Sequence, residues 1–255
     1  MPDAKVSIYG TSNRPHLWKW FYESIALNNN IDFEIVFCGN VRPTFELPSN
    51  FKFIYSNVKP VQCIQIAVSH CTGEVLQNSA DDLQNSPHSF DVLYDLYKKQ
   101  NDYKCIMAPR FCTFDGYDCT DWACRITAND ANSLPIHVGG IISRKFYNEI
   151  GSLDNRFIFS YSDADMQARA QMLGGRIVFS KEATIFERKD LCPGWRQGLF
   201  YTYFDNDRGL LNSLWFHEGI ESVDKFAGKR LDIVYPFIQN ETFLTISQGP
   251  KGQWN

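Results

Sequence analysis

The sequence predicts an α/β domain in which a mostly parallel central sheet carries helices on both faces, a three-layer α/β/α sandwich. Two observations predict it. Over the first hundred residues, β-rich apolar runs alternate with segments of helical period. A chain of 255 residues, 44% of them hydrophobic and 21% charged, can also bury the large core such a sandwich needs.

KVSIYG (5–10) reads as the first strand and breaks at Gly10 and the polar TSNR. Pro15 then suits the first turn of a helix whose Leu17, Trp18, Phe21, Tyr22 and Ile25 share one face. FEIVFCG (33–39) and FKFIYS (51–56) are the next strands, PVQCIQIAVSHCTG (60–73) a helix closed by Gly73, and EVLQN (74–78) a fourth strand. Ser86 and Pro87 predict the start of a helix reaching about residue 100, with Phe90, Leu93, Tyr94 and Tyr97 on one face. YKCIMAP (103–109) is a fifth strand.

From 110 to 137 the period is lost in a stretch rich in Asp, Cys and aromatics, which reads either as a long functional loop or as a small hairpin subdomain. Order returns with HVGGIIS (137–143), a helix RKFYNEIG (144–151), the polar SYSDAD (160–165), a helix through MQARAQMLGG and the strand RIVFS. The remainder is aromatic and helix-leaning. No repeat, low-complexity tract or linker divides the chain, which reads as one domain.

A net charge of −4 and a pI near 5.7 provide no cationic field for nucleic acid. No apolar run approaches the ~20 residues of a membrane span, and MPDAKVSIYG lacks the pattern of a secretory signal, so a cytoplasmic location is expected. The eight cysteines are scattered and form no C-x-x-C, which predicts reduced thiols and no zinc framework; Cys112, Cys119 and Cys124 are the one group spaced for a disulfide.

In a parallel α/β sheet, ligands sit beyond the carboxyl ends of the strands. TSNR after the first strand, CGN after the second and the adjacent Asp81 and Asp82 after the fourth should therefore line one crevice. Turn and cap roles alone would account for an Asp pair. In a crevice, the pair could instead hold a divalent cation, which binds through one or two carboxylates plus substrate phosphates. Asp163 and Asp165 open a helix some eighty residues on. Asp165 reads as a helix cap, whereas Asp163, one step outside, could take a proton from a hydroxyl as a general base.

These pieces, in this order, resemble the GT-A (Rossmann-like) nucleotide-sugar glycosyltransferases, in particular the family 2-like group of small soluble enzymes, from about Lys5 to Arg188. VSIYGTSNRPHLWKWFYESI is similar to that group's first strand and helix. HCTGEVLQNSADD is similar to its segment leading into the D-x-D metal motif. IGSLDNRFIFSYSDADMQARAQMLGGRIVFSKEATIF is similar to its acceptor-side signature. The resemblance implies a nucleotide-sugar-binding half over 1–109, an acceptor-side half over 110–188 and a helical extension over 189–255. It implies Mn²⁺ or Mg²⁺ on Asp81 and Asp82, Asp163 as catalytic base, and donor contacts from Thr11, Arg14, Asp81, Gly139 and Gly140.

The implied reaction is inverting transfer from a UDP- or GDP-sugar to a hydroxyl of a glycan or glycoprotein, in the cytosol of a bacterium or of the host of a large virus. Trp122, Tyr161 and Trp195 are aromatic candidates for the acceptor platform. The sequence departs from the pattern at four places. Ser79 stands at the first Asp of D-x-D, Cys38 and Gly39 where an Asp often meets the nucleoside, and Ser162 at the Glu of "E-D". Glu187 or His217 would have to complete a metal site that often uses a His after the last strand. The alternatives are a glycoside hydrolase using two carboxylates and a sugar-nucleotide- or glycan-binding protein without catalysis. YGTSNRPH has no glycine-rich dinucleotide fingerprint, which argues against a dehydrogenase.

Overall fold

The computed structural model describes residues 4–123, 125–129, 132–191 and 199–215, with side chains over 4–121, 136–191 and 202–215. The strands are β1 (Val6–Thr11), β2 (Phe33–Gly39), β3 (Phe51–Tyr55), β4 (Val75–Asn78), β5 (Leu83–Asn85), β6 (Cys105–Thr113), β7 (Arg125–Asn129), β8 (Asn132–Pro135), β9 (Ile141–Ser143) and β10 (Arg176–Glu187). The helices are α1 (Pro15–Ala26), α2 (Pro60–Ser69), α3 (Ser89–Gln100), α4 (Thr120–Ala123), α5 (Arg144–Ile150), α6 (Ser162–Met172) and α7 (Leu199–Trp215).

Eight strands form one sheet in the order β3-β2-β1-β4-β9-β6-β10-β5, and β7 and β8 form a separate hairpin. β3, β2, β1 and β4 are mutually parallel, and β6 pairs parallel with β10. β9 lies antiparallel between β4 and β6, so those two share a direction; only β9 and β5 run against the rest. The mostly parallel, doubly covered sheet predicted from sequence is thus the observed one.

Two cores, one per face, make the three layers. On one face Trp18, Phe21 and Ile25 of α1 and Phe90 and Leu93 of α3 pack on Val6, Ile8, Ile35, Phe37 and Met107. On the other, α2, α5, α6 and α7 cover Tyr9, Val36, Leu76, Ile106 and Ile142. α2 is buried from Val61 to Val68 because it is sandwiched: Gln65 Nε2 donates to the Leu153 carbonyl at 2.6 Å and the Val61 N–H to the Ile158 carbonyl at 3.2 Å.

Some boundaries differ from the sequence reading. α3 starts at Ser89, not at Ser86. Ser86 extends the pairing with β10 instead, its N–H donating to the Thr184 carbonyl at 2.8 Å and its hydroxyl accepting from the Thr184 N–H at 3.1 Å, and His88 turns left-handed at φ 61°. β6 runs past Pro109 to Thr113 because the partner strand shifts register between Phe179 and Thr184, where Pro109 has no N–H to offer. Of the two readings of 110–137, the hairpin is the one found. Six cysteines, Cys112 and Cys119 among them, are free and buried; Cys124 lies outside the described residues. No helix of the described residues is long and apolar enough to cross a membrane.

Candidate functional site

All strands of the parallel set end at one edge of the sheet, which therefore gathers the loops after β1, β2, β3 and β4. β1 and β4 come close enough there that a Cβ on Gly10 would stand 2.0 Å from the Ser79 carbonyl oxygen, so this position needs glycine. The close approach brings the loop after β1 onto Asp81 and Asp82. Arg14 donates through Nη2 to Asp81 Oδ1 and through Nη1 to Asp82 Oδ2, the latter at 3.3 Å. Ser12 donates its hydroxyl proton to Asp81 Oδ2 and accepts from Trp18 Nε1 at 2.6 Å and from the Arg14 N–H at 3.2 Å.

Asp81 is wholly buried and Asp82 nearly so. Burial raises the Asp81 carboxyl above its ordinary range, against the pull of Arg14 and Ser12. Two hard carboxylates match the donor chemistry of Mn²⁺ or Mg²⁺. Arg14 already stands as the cation between them, so a metal ion would have to displace its guanidinium. Among the described residues, no three His, Cys, Asp or Glu side chains are grouped to hold a metal. Glu187 is brought beside the pair by its backbone, since the next residue, Arg188, donates its N–H to the Asp82 carbonyl at 2.8 Å; its own carboxylate pairs with Lys189 at 2.9 Å. Thr11 ends β1 and its hydroxyl meets the buried Cys63 thiol.

The second acidic site lies at the same edge. α2 starts just beyond the carboxyl end of β3, and the bond from the Val61 N–H to the Ile158 carbonyl docks the 158–161 segment against that helix start. α6 follows, with Asp163 in its first turn accepting from the Ala164 N–H at 2.9 Å. Asp163 keeps part of its surface in solvent but is hemmed in by protein, and burial raises its carboxyl. Tyr9 on β1 lies within its electrostatic reach. Asp165 is not the cap expected of it: its carboxylate joins Arg169 Nε at 3.0 Å to Trp215 Nε1 at 2.9 Å.

Gly139 and Gly140 precede β9, whose antiparallel course starts it at this edge. Gly139 adopts φ +62°, a left-handed conformation that suits glycine, and its carbonyl accepts from Gln77 Nε2. The Gly140 N–H donates to His137 Nδ1 at 3.0 Å, which leaves the ring proton on Nε2, a buried atom with no hydrogen-bond partner among the described residues. Burial alone lowers His137 to about 4. The Gln167 amide, one turn along α6 from Asp163, binds the His137 backbone through both its oxygen, at 2.5 Å, and its nitrogen, at 3.1 Å. Tyr161 is half-buried, with its ring 4.9 Å from that of Phe204. Trp122 sits in α4, its side chain outside the described set; Trp195 and His217 lie outside the described residues.

The sequence reading missed Ser12 as a partner of Asp81 and Trp18 as the partner of Ser12. Ser12 carried a signal, since it lies in the polar loop after β1; Trp18 carried none, because its spacing marks it as core and its ring is core.

No protein-family model matches the sequence, and no curated protein matches it. Solved structures do match in fold: S. aureus TarS 1–349 superposes with a TM-score of 0.60 at 12% identity, over 89% of this chain and 70% of that one. The chain has a Rossmann-like glycosyltransferase fold. A second TarS structure matches this glycosyltransferase fold with a TM-score of 0.58 at 11% identity, over 87% of this chain but only 41% of TarS. TarS 1–349 in complex with UDP gives 0.52 at 12% identity, over 71% of this chain and 60% of that one.

Proposed function

We propose that the protein is a nucleotide-sugar-dependent glycosyltransferase that moves a hexosyl or pentosyl group, with inversion, from a UDP-sugar, or as second choice a GDP-sugar, to a hydroxyl of a glycan or glycoprotein. The observation that carries this reading is the gathering of the Arg14–Asp81–Asp82 cluster, the Gly139–Gly140 turn and the start of α6 at one edge of a glycosyltransferase fold. The UDP complex of a structure similar in fold supports the choice of nucleotide.

In this reading Thr11 and Arg14 face the nucleotide, and the Gly139–Gly140 backbone faces the donor sugar. Asp163 takes the proton of the acceptor hydroxyl as its oxygen attacks the anomeric carbon, and the bond from that carbon to the diphosphate breaks on the opposite side. Asp81 and Asp82 would hold Mn²⁺ or Mg²⁺, which when bound offsets charge on the diphosphate. Tyr161, Trp122 and Trp195 would form the acceptor platform. Orientation within the crevice supplies much of the remaining acceleration.

The test is a melting-temperature screen against UDP, GDP, dTDP and CMP with and without Mn²⁺, followed by product analysis with the sugar nucleotides of whichever base binds. A ligand that binds only the native state raises the melting point by mass action. The reading expects UDP or GDP to do so and its sugars to be consumed; no shift with any nucleotide would overturn it. The Arg14 bridge across the carboxylates gives a second reading, a nucleotide-binding protein without transfer, a specific footing. Binding of UDP with neither transfer nor donor hydrolysis would select it.

A further inference from the structure

α7 belongs to the last part of the chain, yet it reaches the segment that delivers Asp163. Its Asp207 is wholly buried and accepts three consecutive backbone N–H groups: Ile158 at 3.0 and 3.1 Å to its two oxygens, Phe159 at 2.7 Å and Ser160 at 2.8 Å. Successive N–H groups turned to one point form a concavity for an anion, and here the anion is a side chain of the protein itself. Hydrogen bonds to a charged acceptor are about twice as strong as neutral ones, so this grip is firm. Lys59 and Asn206 Nδ2, the latter at 3.3 Å, add positive charge and a donor around the same carboxylate.

The next residue, Tyr161, holds φ +60°, a costly conformation for a side chain of that size, and its ring meets Phe204 of the same α7. Two residues beyond Asp163, Asp165 is tied to Trp215, at the end of α7. Asp163 thus lies between two attachments to one helix, at Ser160 and at Asp165, with a third contact through Tyr161. Packing of α7 on the core would need only its apolar face, Leu211, Leu214 and Trp215. A buried carboxylate aimed at three backbone amides does something more specific.

We infer that α7 braces the start of α6, and that Asp207 is a positioning residue that sets the direction of Asp163 through the backbone of 158–160. The inference rests on the reading of Asp163 as base, so its test has one arm that needs no activity.

In the full chain, Asp207→Asn removes the negative charge and replaces one acceptor oxygen by an N–H₂ group that faces the Ile158 N–H in either orientation of the amide. Hydrogen exchange should become at least about tenfold faster in peptides covering 156–166 and stay unchanged in β1 to β4. With whichever sugar nucleotide turns over, kcat should fall about 10- to 100-fold, while donor KM and calorimetric UDP affinity stay within about twofold. A merely structural role would lower the UDP-binding stoichiometry in calorimetry along with kcat, or move kcat and KM together. Unchanged exchange, or faster exchange with full kcat, overturns the inference. A wild type that turns over no sugar nucleotide counts against the functional reading instead, and exchange alone then decides the brace. Should Asp207→Asn fail to fold, Phe204→Ala at a half-buried position removes the contact with Tyr161, and the same split at about 3- to 10-fold in kcat is expected. An unaltered kcat there overturns the inference as well.

Discussion

Trp18 Nε1 donates to Ser12 Oγ across 2.6 Å, and this one bond ties the core under α1 to the acidic cluster. A hydroxyl has one proton to give, and Ser12 gives it to Asp81 while accepting from Trp18 and from the Arg14 N–H. Ser12→Ala would leave a buried indole N–H without a partner and take a donor from a buried carboxylate. We expect a loss of about 1–3 kcal/mol in urea unfolding. UDP affinity should weaken with it, through misplacement of Asp81 and Arg14. Unfolding indistinguishable from wild type would show that the hydroxyl is dispensable.

Arg14 decides whether a metal ion can use the carboxylate pair. Its side chain keeps 21% of its surface exposed, so it can swing out, but while in place its single positive charge bridges Asp81 and Asp82 and offsets one of their two negative charges. Arg14→Gln leaves the two negative charges facing each other and should cost about 3 kcal/mol without metal. Mn²⁺ should restore much of that loss, and should therefore raise the melting point of the variant more than that of wild type. An equal response of both proteins to Mn²⁺ would remove Asp81 and Asp82 from consideration as metal ligands.

Strand and helix order was readable because burial on both sides of a parallel sheet leaves continuous apolar runs, and β2 has the very bounds its FEIVFCG run predicts. β5 has three residues, too few to show a period, and the start of α3 was obscured because Ser86 and Pro87 form a helix-start signal that pairing with β10 overrides. Asp81, Asp82 and Arg14 were legible as a group because a parallel sheet sends its loops to one edge. Trp18 was not, since a core position hides a polar handle. Asp207 was not, since the helix-leaning end of the chain offered no pattern that singles it out and its targets lie 47 to 49 residues away.

Asp163→Asn should reduce transfer by about 10²- to 10⁴-fold, the usual contribution of a positioned general base, with UDP affinity unchanged. It should also stabilise the fold at neutral pH. Burial raises this carboxyl above its unfolded value, so the native state binds its proton more tightly than the unfolded state does. The protonated group is favoured below the unfolded pKa, and that advantage disappears as pH rises through the folded one. Asn, neutral at every pH, escapes the penalty, so the variant's melting point should exceed wild type at pH 7 and converge on it in acid. A melting point lower than wild type at pH 7 would contradict the burial of this charge.

Glu34 behaves in the opposite way at the other edge of the sheet. Burial pushes its carboxyl up, but Lys52 at 2.8 Å, the Thr72 N–H and hydroxyl, and the Ser7 hydroxyl at 2.7 Å outweigh it, holding the group at about 2 against an ordinary 4.5. Every one of these donors belongs to β1, β3 or the turn before β4, so Glu34 fastens the amino ends of the strands whose carboxyl ends carry the site. A lowered carboxyl stabilises above its unfolded pKa, and the contribution is lost as pH falls through the folded value. Glu34→Gln should therefore cost about 3 kcal/mol at neutral pH, with the difference from wild type shrinking between pH 4.5 and 2. The measurement is a pair of denaturant titrations across that window. A penalty that stays constant with pH would mean that the loss comes from packing rather than from charge.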